Sequence, residues 1–432
     1  APVGALFFGD PGVERAGIPN RYKNFSPRIG FAYDPFGDGK TSIRSAIGLF
    51  YGSISGNEWG NMTNFQPWST RLTFTNLNRR GTGATLSNPY NNYTGGNPFP
   101  YNGSFSNGGG FFAVSPEFQF PRTLQMNFSV QRQITNALTV GAAYIKSVAR
   151  NLPFGRDLNY PVVNATATSA GANILARRPN PAFGAVTILD SDQKADYEGL
   201  QITSSMRLNK LFSFNGFYTL SKTTSSVQLH NNTVLGLAQN FTNLDAEKGP
   251  ADTDQRHVFS MSFNFQPDFY NGDSKILKGI LNGWSIAPIV KIRSGRPFTV
   301  TNGNVDANLD GTGGTDRARL IGDPYLANPT AARWFNTAAF AQNAIVTGVA
   351  TDGTSPRNFL YGPGFSVVDL ALSRDFKFGE RYRIRLRGEG TNIFNMVNLG
   401  DPGSSVSGGS NFGVIRTGGA MRILQFGARF TF

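Results

Sequence analysis

Apolar and polar residues alternate with a period of two along many stretches of the chain. In the last twelve residues, MRILQFGARFTF, one face carries Leu424, Phe426, Phe430 and Phe432, and the other carries Gln425 and Arg429. Because successive side chains of a strand point to opposite faces, this period predicts a β-strand. An aromatic face needs an apolar environment and a polar face a wet one, so the strand is expected to separate lipid from water.

Ten further segments have the same two-faced pattern. They are 28–36, 40–52, 123–133, 137–146, 200–208, 211–222, 256–265, 283–292, 365–376 and 380–390. Their length suits a tilted strand that crosses a bilayer, which needs about nine to eleven residues. The fold class predicted is therefore all-β, an antiparallel transmembrane β-barrel portion of about eleven strands.

The connections alternate between short turns and long loops. The long ones, rich in Gly, Asn, Ser and Thr, are 53–122, 149–194, 223–255, 295–364 and 395–419. Compact soluble domains rarely contain so many long loops, whereas outer-membrane barrels combine short periplasmic turns with long extracellular loops. The bacterial outer membrane is therefore the expected location.

Two hairpins are expected to align their apolar faces. A loop of residues 209–211 would set Met206 opposite Phe214 and Ile202 opposite Tyr218. A loop of residues 377–379, with Gly379 at positive φ, would set Leu370 and Leu372 opposite Leu386 and Ile384, and Asp369 and Asp375 opposite Arg387 and Arg381. Both registers place the apolar side chains on one common face.

Counting strand directions makes the chain look like part of a barrel. If the last strand runs towards the periplasm, alternation gives segment 28–36 the same direction. Residues 1–27 are then a truncated extracellular loop, and residues 28–432 the C-terminal half of a barrel. Single-chain bacterial barrels have an even number of strands with both ends in the periplasm. Eleven is half of the roughly 22 strands of plugged outer-membrane transporters, so a 22-stranded barrel is expected.

Composition supports a β-rich chain without disulfides. Charged residues make up 16% of the sequence, against about a quarter in typical soluble domains, and there are 51 Gly and 37 Phe. The absence of Cys excludes disulfides and thiol chemistry. The formal charge of +13 is compatible with loops that meet lipid phosphates, and no nucleic-acid partner is expected. Contact with outer-membrane lipid and lipopolysaccharide is the corresponding expectation.

Several dispersed phrases resemble one family. NFSPRIGFAYDPFGDGKTSIRSAIGLFYG, DQRHVFSMSF, GWSIAPIVKIRSGRPFT and TNIFNMVNLGDP are similar to TonB-dependent receptors of the Oar-like group, and the resemblance covers nearly all of residues 20–432. It implies a barrel that follows a carboxypeptidase-regulatory-like domain and a plug, neither of which is in this sequence. It also implies energy from a TonB complex that contacts the missing N-terminal part.

The resemblance also gives the terminal strand a partner. In such proteins a C-terminal Phe with alternating apolar residues is the signal that the barrel-assembly machinery recognises, and Leu424, Phe426, Phe430 and Phe432 match it. The alternative is that these side chains simply face lipid. Both roles are compatible with one strand.

The function expected is uptake of an unidentified substrate through a plugged pore. Aromatic residues in the first long loop would suit a carbohydrate or a peptide; they are Trp59, Phe65, Trp68, Tyr90, Tyr93, Phe99 and Tyr101. Two alternatives stay open. The chain could belong to a surface adhesion or assembly protein, or to a passive porin-like barrel without a plug.

The most specific local motif is NVDANLDGTGGTDR in the 295–364 loop. Asp306, Asn308 and Asp310 at spacing two, followed by a Gly, resemble the opening of an EF-hand calcium loop. The twelfth position is Arg317 instead of Glu, but Asp316 and the Thr312 carbonyl could supply further oxygens. Calcium is therefore the one cofactor considered, and the alternative is a surface turn rich in Asp and Asn without a metal.

Arginines alternate along segment 380–390 and would line the lumen as a basic stripe, made of Arg381, Arg383, Arg385 and Arg387. Such a stripe could guide anionic solutes or contact acidic groups of a plug. The alternative is an ordinary polar lumen wall, neutralised in part by Asp369, Asp375 and Glu389.

No catalytic residue is predicted, and the protein is not expected to be an enzyme. The chain has two His, His230 in a predicted loop and His257 at a strand start. Neither lies in a motif that marks a nucleophile or a zinc site.

Overall fold

The computed structural model describes residues 20–54, 109–208, 211–226, 238–379 and 381–432, together with the single residues 10, 11, 60, 64 and 90. The strands of this part are β1 (Arg28–Tyr33), β2 (Thr41–Tyr51), β3 (Gly109–Val114), β4 (Arg122–Gln133), β5 (Leu138–Asp157), β6 (Phe183–Leu208), β7 (Phe212–Ser225), β8 (Gly249–Pro250), β9 (His257–Phe265), β10 (Trp284–Arg293), β11 (Pro297–Phe298), β12 (Arg319–Leu320), β13 (Phe340–Ala341), β14 (Leu360–Tyr361), β15 (Phe365–Phe378), β16 (Tyr382–Thr391) and β17 (Ile423–Thr431). Two short helices are α1 (Gly171–Ala176) and α2 (Lys275–Leu281). Among the described residues, no helix is both long enough and apolar enough to span a membrane.

Eleven strands form one antiparallel meander. Their order is β1-β2-β4-β5-β6-β7-β9-β10-β15-β16-β17, so each is hydrogen-bonded to its neighbour along the chain and β1 and β17 are the edges. All eleven segments predicted from the alternating pattern are confirmed as strands, and so is the all-β antiparallel class. The arc is open in this structure, because the sheet order runs from one edge strand to the other.

The meander exposes its apolar face. Phe426 and Phe432 at the end of the chain are each 81% exposed, and at the other edge Ile29 is 72% exposed. The cross-strand register keeps these faces continuous, for example where Ile384 pairs with Phe430. A surface of this kind is stable when lipid covers it.

One of the two expected hairpin registers is confirmed. Met206 pairs with Phe214 and Ile202 with Tyr218, as the loop of residues 209–211 predicts. Strand β6 ends at Leu208 and β7 begins at Phe212, so the two strands are joined by three residues.

The register predicted for the β15–β16 hairpin is wrong. Each residue of β15 lies opposite a residue of β16 that is four positions further along the chain than predicted. Strand β15 continues to Phe378, which pairs with Tyr382, so the turn is 379–381 and Asp375 lies opposite Arg385. Gly379 does adopt the positive φ, 64°, but as the first turn residue. Because the shift is an even number of residues, each side chain keeps the predicted face.

Strands β5 and β6 extend well beyond the membrane-crossing length. They contain 20 and 26 residues, so parts of the predicted 149–194 loop are strand. The extension buries alternate residues of β6, Thr187, Leu189, Ser191 and Gln193. Strand β3 pairs in parallel with this extension, which explains why a segment with so many polar residues remains a strand.

The buried core lies in the long connections. We call the described residues of 158–182, 238–256, 294–364 and 392–422 the extracellular cap, after the side on which outer-membrane barrels carry long loops. Its apolar cluster contains Val300, Ala318, Phe335, Ala339, Phe340 and Leu360. The Phe335 ring meets Phe412 from the last connection edge to face, with centroids 5.2 Å apart. The pairs β11–β14 and β12–β13 add two small sheets within the cap.

Candidate functional site

Gln239 ties separate loops of the cap together. Its Oε1 accepts hydrogen bonds from the N–H of Arg317, at 2.8 Å, and of Gly353, at 3.0 Å. Its backbone carbonyl accepts from Asn308 Nδ2 at 2.6 Å. The side chain is 3% exposed. Since buried polar groups are costly unless they are paired, this satisfied residue fixes the β7–β9 connection against the β10–β15 connection.

A buried ion pair reinforces the same junction. Arg317 Nη1 lies 2.6 Å from Glu247 Oε1, and the two side chains are 5% and 2% exposed. Glu247 Oε1 also accepts from the Gln239 N–H at 3.0 Å. Nearby Arg357 donates from Nη2 to the Ser225 carbonyl at 2.8 Å, which anchors the cap to the top of β7. These groups were not singled out in the sequence, because no short motif marks them.

The Asp306 loop is a turn closed by hydrogen bonds from its own backbone to the Asp306 carboxylate. Asp306 accepts from the N–H of Asp310 at Oδ1, at 2.9 Å, and from the N–H of Gly311 at Oδ2, at 3.0 Å. Gly311 has φ +93°, a backbone conformation that side-chain-bearing residues rarely adopt. The turn expected at Gly311 is therefore present. Asp306, Asn308, Asp310 and Asp316 are all buried.

The other carboxylates are held by several loops. Asp310 Oδ1 accepts from the Thr312 N–H at 2.7 Å, and its Oδ2 accepts from the Tyr160 hydroxyl at 3.0 Å. Asp316 Oδ2 accepts from the Ala307 N–H at 2.8 Å, whereas Asp316 Oδ1 is buried and has no partner in the described part of the chain. Arg177 Nη2 donates to the Leu309 carbonyl at 2.6 Å, so a guanidinium lies against the loop.

Burial and mutual repulsion disfavour the charged carboxylates. Burial, with the nearby Asp310 charge added, raises the pKa of Asp316 to about 7. Burial and the Asp310 charge likewise raise the pKa of Asp306. The same two causes raise the pKa of the Tyr160 hydroxyl. A cation in this loop would favour the charged form of both carboxylates.

The donor set suits calcium, but the side chains do not yet converge. Three carboxylates, an amide oxygen and the Thr312 carbonyl are oxygen donors of the kind that calcium prefers. Asp316 Oδ1 is a buried oxygen that has no hydrogen-bond partner among the described residues. Within the described residues, no three Asp, Glu or His side chains already surround a common point. An ion would therefore have to turn the carboxylates inwards from their backbone hydrogen bonds.

The predicted basic stripe is largely neutralised by acidic neighbours. Arg383, Arg385 and Arg387 lie on the polar face of β16. Arg385 donates to Asp375 from Nε at 2.7 Å and from Nη2 at 3.0 Å, and Arg383 forms an ion pair with the same carboxylate. Arg387 pairs with Glu389. The wall is thus a ladder of ion pairs.

Arg381 and Asp369 do not form the ion pairs that the sequence predicts for them. Arg381 is in the turn before β16, with its guanidinium 5.8 Å from the centroid of the Tyr382 ring. The expected pairs of Asp375 with Arg381 and Asp369 with Arg387 are wrong, because the register is shifted. Asp369 instead accepts from the Asn392 N–H at 2.9 Å.

A family model of the outer membrane beta barrel domain matches residues 2–425, which is almost the whole chain. The chain belongs to this family. It is therefore an outer-membrane protein, and its apolar face is the lipid-facing surface of a barrel. No curated protein sequence is detectably similar to it.

Solved structures align with most of this barrel chain at low sequence identity. The outer membrane transporter YddB from Escherichia coli has a TM-score of 0.49 and 11% identity, with 94% of this chain and 40% of that chain covered. The FrpB iron transporter from Neisseria meningitidis has a TM-score of 0.44 and 9% identity, with 94% of this chain and 39% of that chain covered. The ferric-catecholate import receptor Fiu from E. coli has a TM-score of 0.43 and 10% identity, with 94% of this chain and 34% of that chain covered. The chain spans two fifths or less of the length of these structures.

The terminal strand of the barrel carries its large apolar side chains on one face. Leu424, Phe426 and Phe430 lie on the lipid-facing side of edge strand β17, and Phe432 follows it. Tyr382, Phe430 and Phe432 stack in series, with centroids 6.0 and 5.8 Å apart. This stack lies at the end of the sheet that carries the turn between β15 and β16.

The remaining predicted residues contribute little to a site. His257 begins β9, and its Nδ1 lies 2.7 Å from the Tyr218 hydroxyl. His230 lies outside the described residues, as do all of the loop aromatics named above except Tyr90.

The buried ion pair yields a testable prediction. Glu247→Gln keeps the shape of the side chain but leaves the Arg317 charge buried without a counter-charge, which typically costs about 3–5 kcal/mol. We expect the amide protons of Gln239 and Gly353 to lose protection in hydrogen exchange, while the barrel strands keep theirs. Arg333→Gln, at an exposed arginine of the same loop, is the control and should change nothing. Equal protection in wild type and Glu247→Gln would show that the pair does not hold the cap.

Proposed function

We propose that this chain is the C-terminal barrel portion of an Oar-like TonB-dependent receptor that takes up a nutrient across the outer membrane. The observation that carries the proposal is an arc of eleven antiparallel strands under an interlocked extracellular cap. Energy would come from a TonB complex at the inner membrane. The proposal also rests on the sequence resemblance described above.

The open arc supports a larger barrel. Strands β1 and β17 are edges, and an unpaired edge inside hydrocarbon would leave backbone N–H and C=O groups without partners. Both edges therefore need partner strands in the membrane, and we infer that further strands supply them. A second arc of equal size gives about 22 strands, the number that leaves a lumen wide enough for a plug.

The cap supports gated uptake better than free diffusion. Its loops are fixed to one another by buried contacts of Gln239, Glu247 and Arg317. A rigid cap over the mouth of a barrel can present a shaped binding surface, which an open diffusion pore does not need. We also propose a carbohydrate or a peptide as the ligand class. The support for this ligand class is the aromatic composition of the first long loop in the sequence.

Uptake by living cells tests the proposal. Cells with and without the full-length protein would receive labelled oligosaccharide and peptide mixtures, and intracellular label would be measured. We expect accumulation that requires the protein and disappears when the proton gradient or the TonB complex is removed. Label that enters without energy would instead identify a passive porin-like barrel. Loss of surface attachment with no change in uptake would identify an adhesion protein.

We also propose that the Asp306 loop binds Ca²⁺ and that the ion stiffens the cap. The support is the donor set of Asp306, Asn308, Asp310 and Asp316, the unpaired Asp316 Oδ1 and the raised carboxylate pKa values. The Thr312 carbonyl would be a further ligand. Because Tyr160 and Gln239 contact the same loop, a bound ion would link three connections.

Calorimetry tests the calcium proposal. Asp316→Asn removes the charge of this side chain while keeping its volume. We expect the affinity for Ca²⁺, measured by calorimetry, to be at least roughly tenfold lower than in wild type, because a charged ligand is lost. Hydrogen exchange of the cap should respond to Ca²⁺ in wild type and not in the variant. Asp323→Asn, at an exposed position of the same loop, is the control. The absence of any Ca²⁺ heat in wild type would refute the site.

Recognition by the barrel-assembly machinery is proposed for strand β17. The support is the placement of Leu424, Phe426 and Phe430 on one face of an edge strand, which is free to pair with another protein during assembly.

Phe432→Ser is expected to lower the folded fraction in cell membranes severalfold, with Thr431→Ser, on the opposite face, as control. Purified Phe432→Ser protein should still fold into lipid vesicles. If folding in vesicles fails equally, the residue acts through lipid contact and not through recognition.

A further inference from the structure

An arginine lies on the lipid-facing side of the sheet. Arg374 of β15 pairs with Trp284 of β10 on one side and with Leu386 of β16 on the other. Its guanidinium carbon is 5.2 Å from the Trp284 ring centroid and 4.2 Å from that of Phe376. The residue is only 8% exposed, and its Nε has no hydrogen-bond partner among the described residues. A buried cation with a free donor points to a missing anion.

The position of Arg374 places that anion near the periplasmic interface. Arg374 lies four residues before Phe378, about 14 Å along the strand, or about 10 Å above the turn for a strand tilted by about 40°. The guanidinium packs over Phe376, which is nearer the turn, so the side chain extends towards the periplasm. This is the behaviour of a long cationic side chain that carries its charge towards lipid headgroups.

An apolar groove begins beside this arginine. It is lined by Trp284, Leu372, Phe376, Leu386, Gly388, Phe426 and Ala428, and its volume is about 550 Å³. The small residues Gly388 and Ala428 leave the space between the larger side chains of three neighbouring strands. The groove is therefore a depression in the barrel surface with apolar walls and one cationic end.

We propose that this groove holds one glycerophospholipid of the periplasmic leaflet, with its phosphate on Arg374 and an acyl chain along the groove. The arginine fork matches phosphate oxygens in geometry as well as in charge. Trp284 has the position of an interfacial aromatic residue, beside the headgroup. A glycerophospholipid supplies both the anion that Arg374 lacks and the apolar chain that the groove fits.

The occupant is a lipid because the surface itself lies in the membrane. Leu372, Leu386 and Phe426 are 38%, 47% and 81% exposed on the face that lipid covers. A free phosphate ion would satisfy the guanidinium but would leave the groove unfilled and would have to enter hydrocarbon without a chain. The observations therefore favour a tethered phosphate.

Native mass spectrometry of the full-length protein in a mild detergent tests the proposal. Phosphatidylglycerol would be titrated in, and the lipid-bound fraction measured for wild type and for Arg374→Gln. We expect one tightly retained lipid in wild type and roughly tenfold weaker binding in the variant, the loss usual for a charge-assisted hydrogen bond. Arg132→Gln is the matched control. Arg132 is also on the lipid-facing side and lies over the Phe36 ring, at 5.1 Å, but its Nη1 already donates to Thr41.

A second variant tests the groove independently of the charge. Gly388→Leu would fill the space, because a Cβ at this position comes within 3.4 Å of the Phe426 ring. We expect it to weaken phosphatidylglycerol and phosphatidylethanolamine alike, while an unchanged heat-modifiable gel mobility shows that the barrel is folded. Millimolar inorganic phosphate should not displace the lipid. Wild-type affinity in both Arg374→Gln and Gly388→Leu, or displacement of the lipid by inorganic phosphate, would overturn the proposal.

Discussion

The structure depends on one requirement, that every backbone N–H and C=O group inside a membrane must find a partner within the protein, because hydrocarbon offers none. An antiparallel meander meets it strand by strand, as the continuous order from β1 to β17 shows. The side chains are then divided between a lipid face and a lumen face. The large apolar residues of the barrel are consequently the exposed ones, such as Phe426 and Ile29.

This division moves the buried core out of the membrane. The residues that pack as in a soluble protein, among them Val300, Phe335 and Phe340, belong to the extracellular cap. Because long connections rich in Gly and Asn bring few apolar side chains, the cap depends heavily on buried polar groups. Gln239 and the pair of Glu247 with Arg317 are joined by hydrogen bonds there, so the cap is held by specific partners and not by hydrophobic packing alone.

Much of this fold could be predicted from the sequence, because membrane strands obey a strict local rule. A period of two was sufficient to locate all eleven strands, and the connection of residues 209–211 gave the correct register for β6 and β7. Alternation alone cannot fix the register of β15 and β16. A shift by an even number of residues leaves side chains such as Phe376 and Arg385 on the same face, so the pattern fits several registers equally well. The extension of β6 was missed because its support comes from β3, distant in sequence.

The cap shows a sharper limit. Asp306 and Gly311 could be predicted as a turn, since Asp and Gly favour that conformation locally. The residues that give the turn its surroundings, Tyr160 and Gln239, lie more than sixty positions away and belong to no motif. What a local pattern predicts is a shape. Whether that shape becomes a binding site is decided by the side chains that the fold brings to it. Here they bury three carboxylates, and one oxygen of Asp316 has no partner among the described residues.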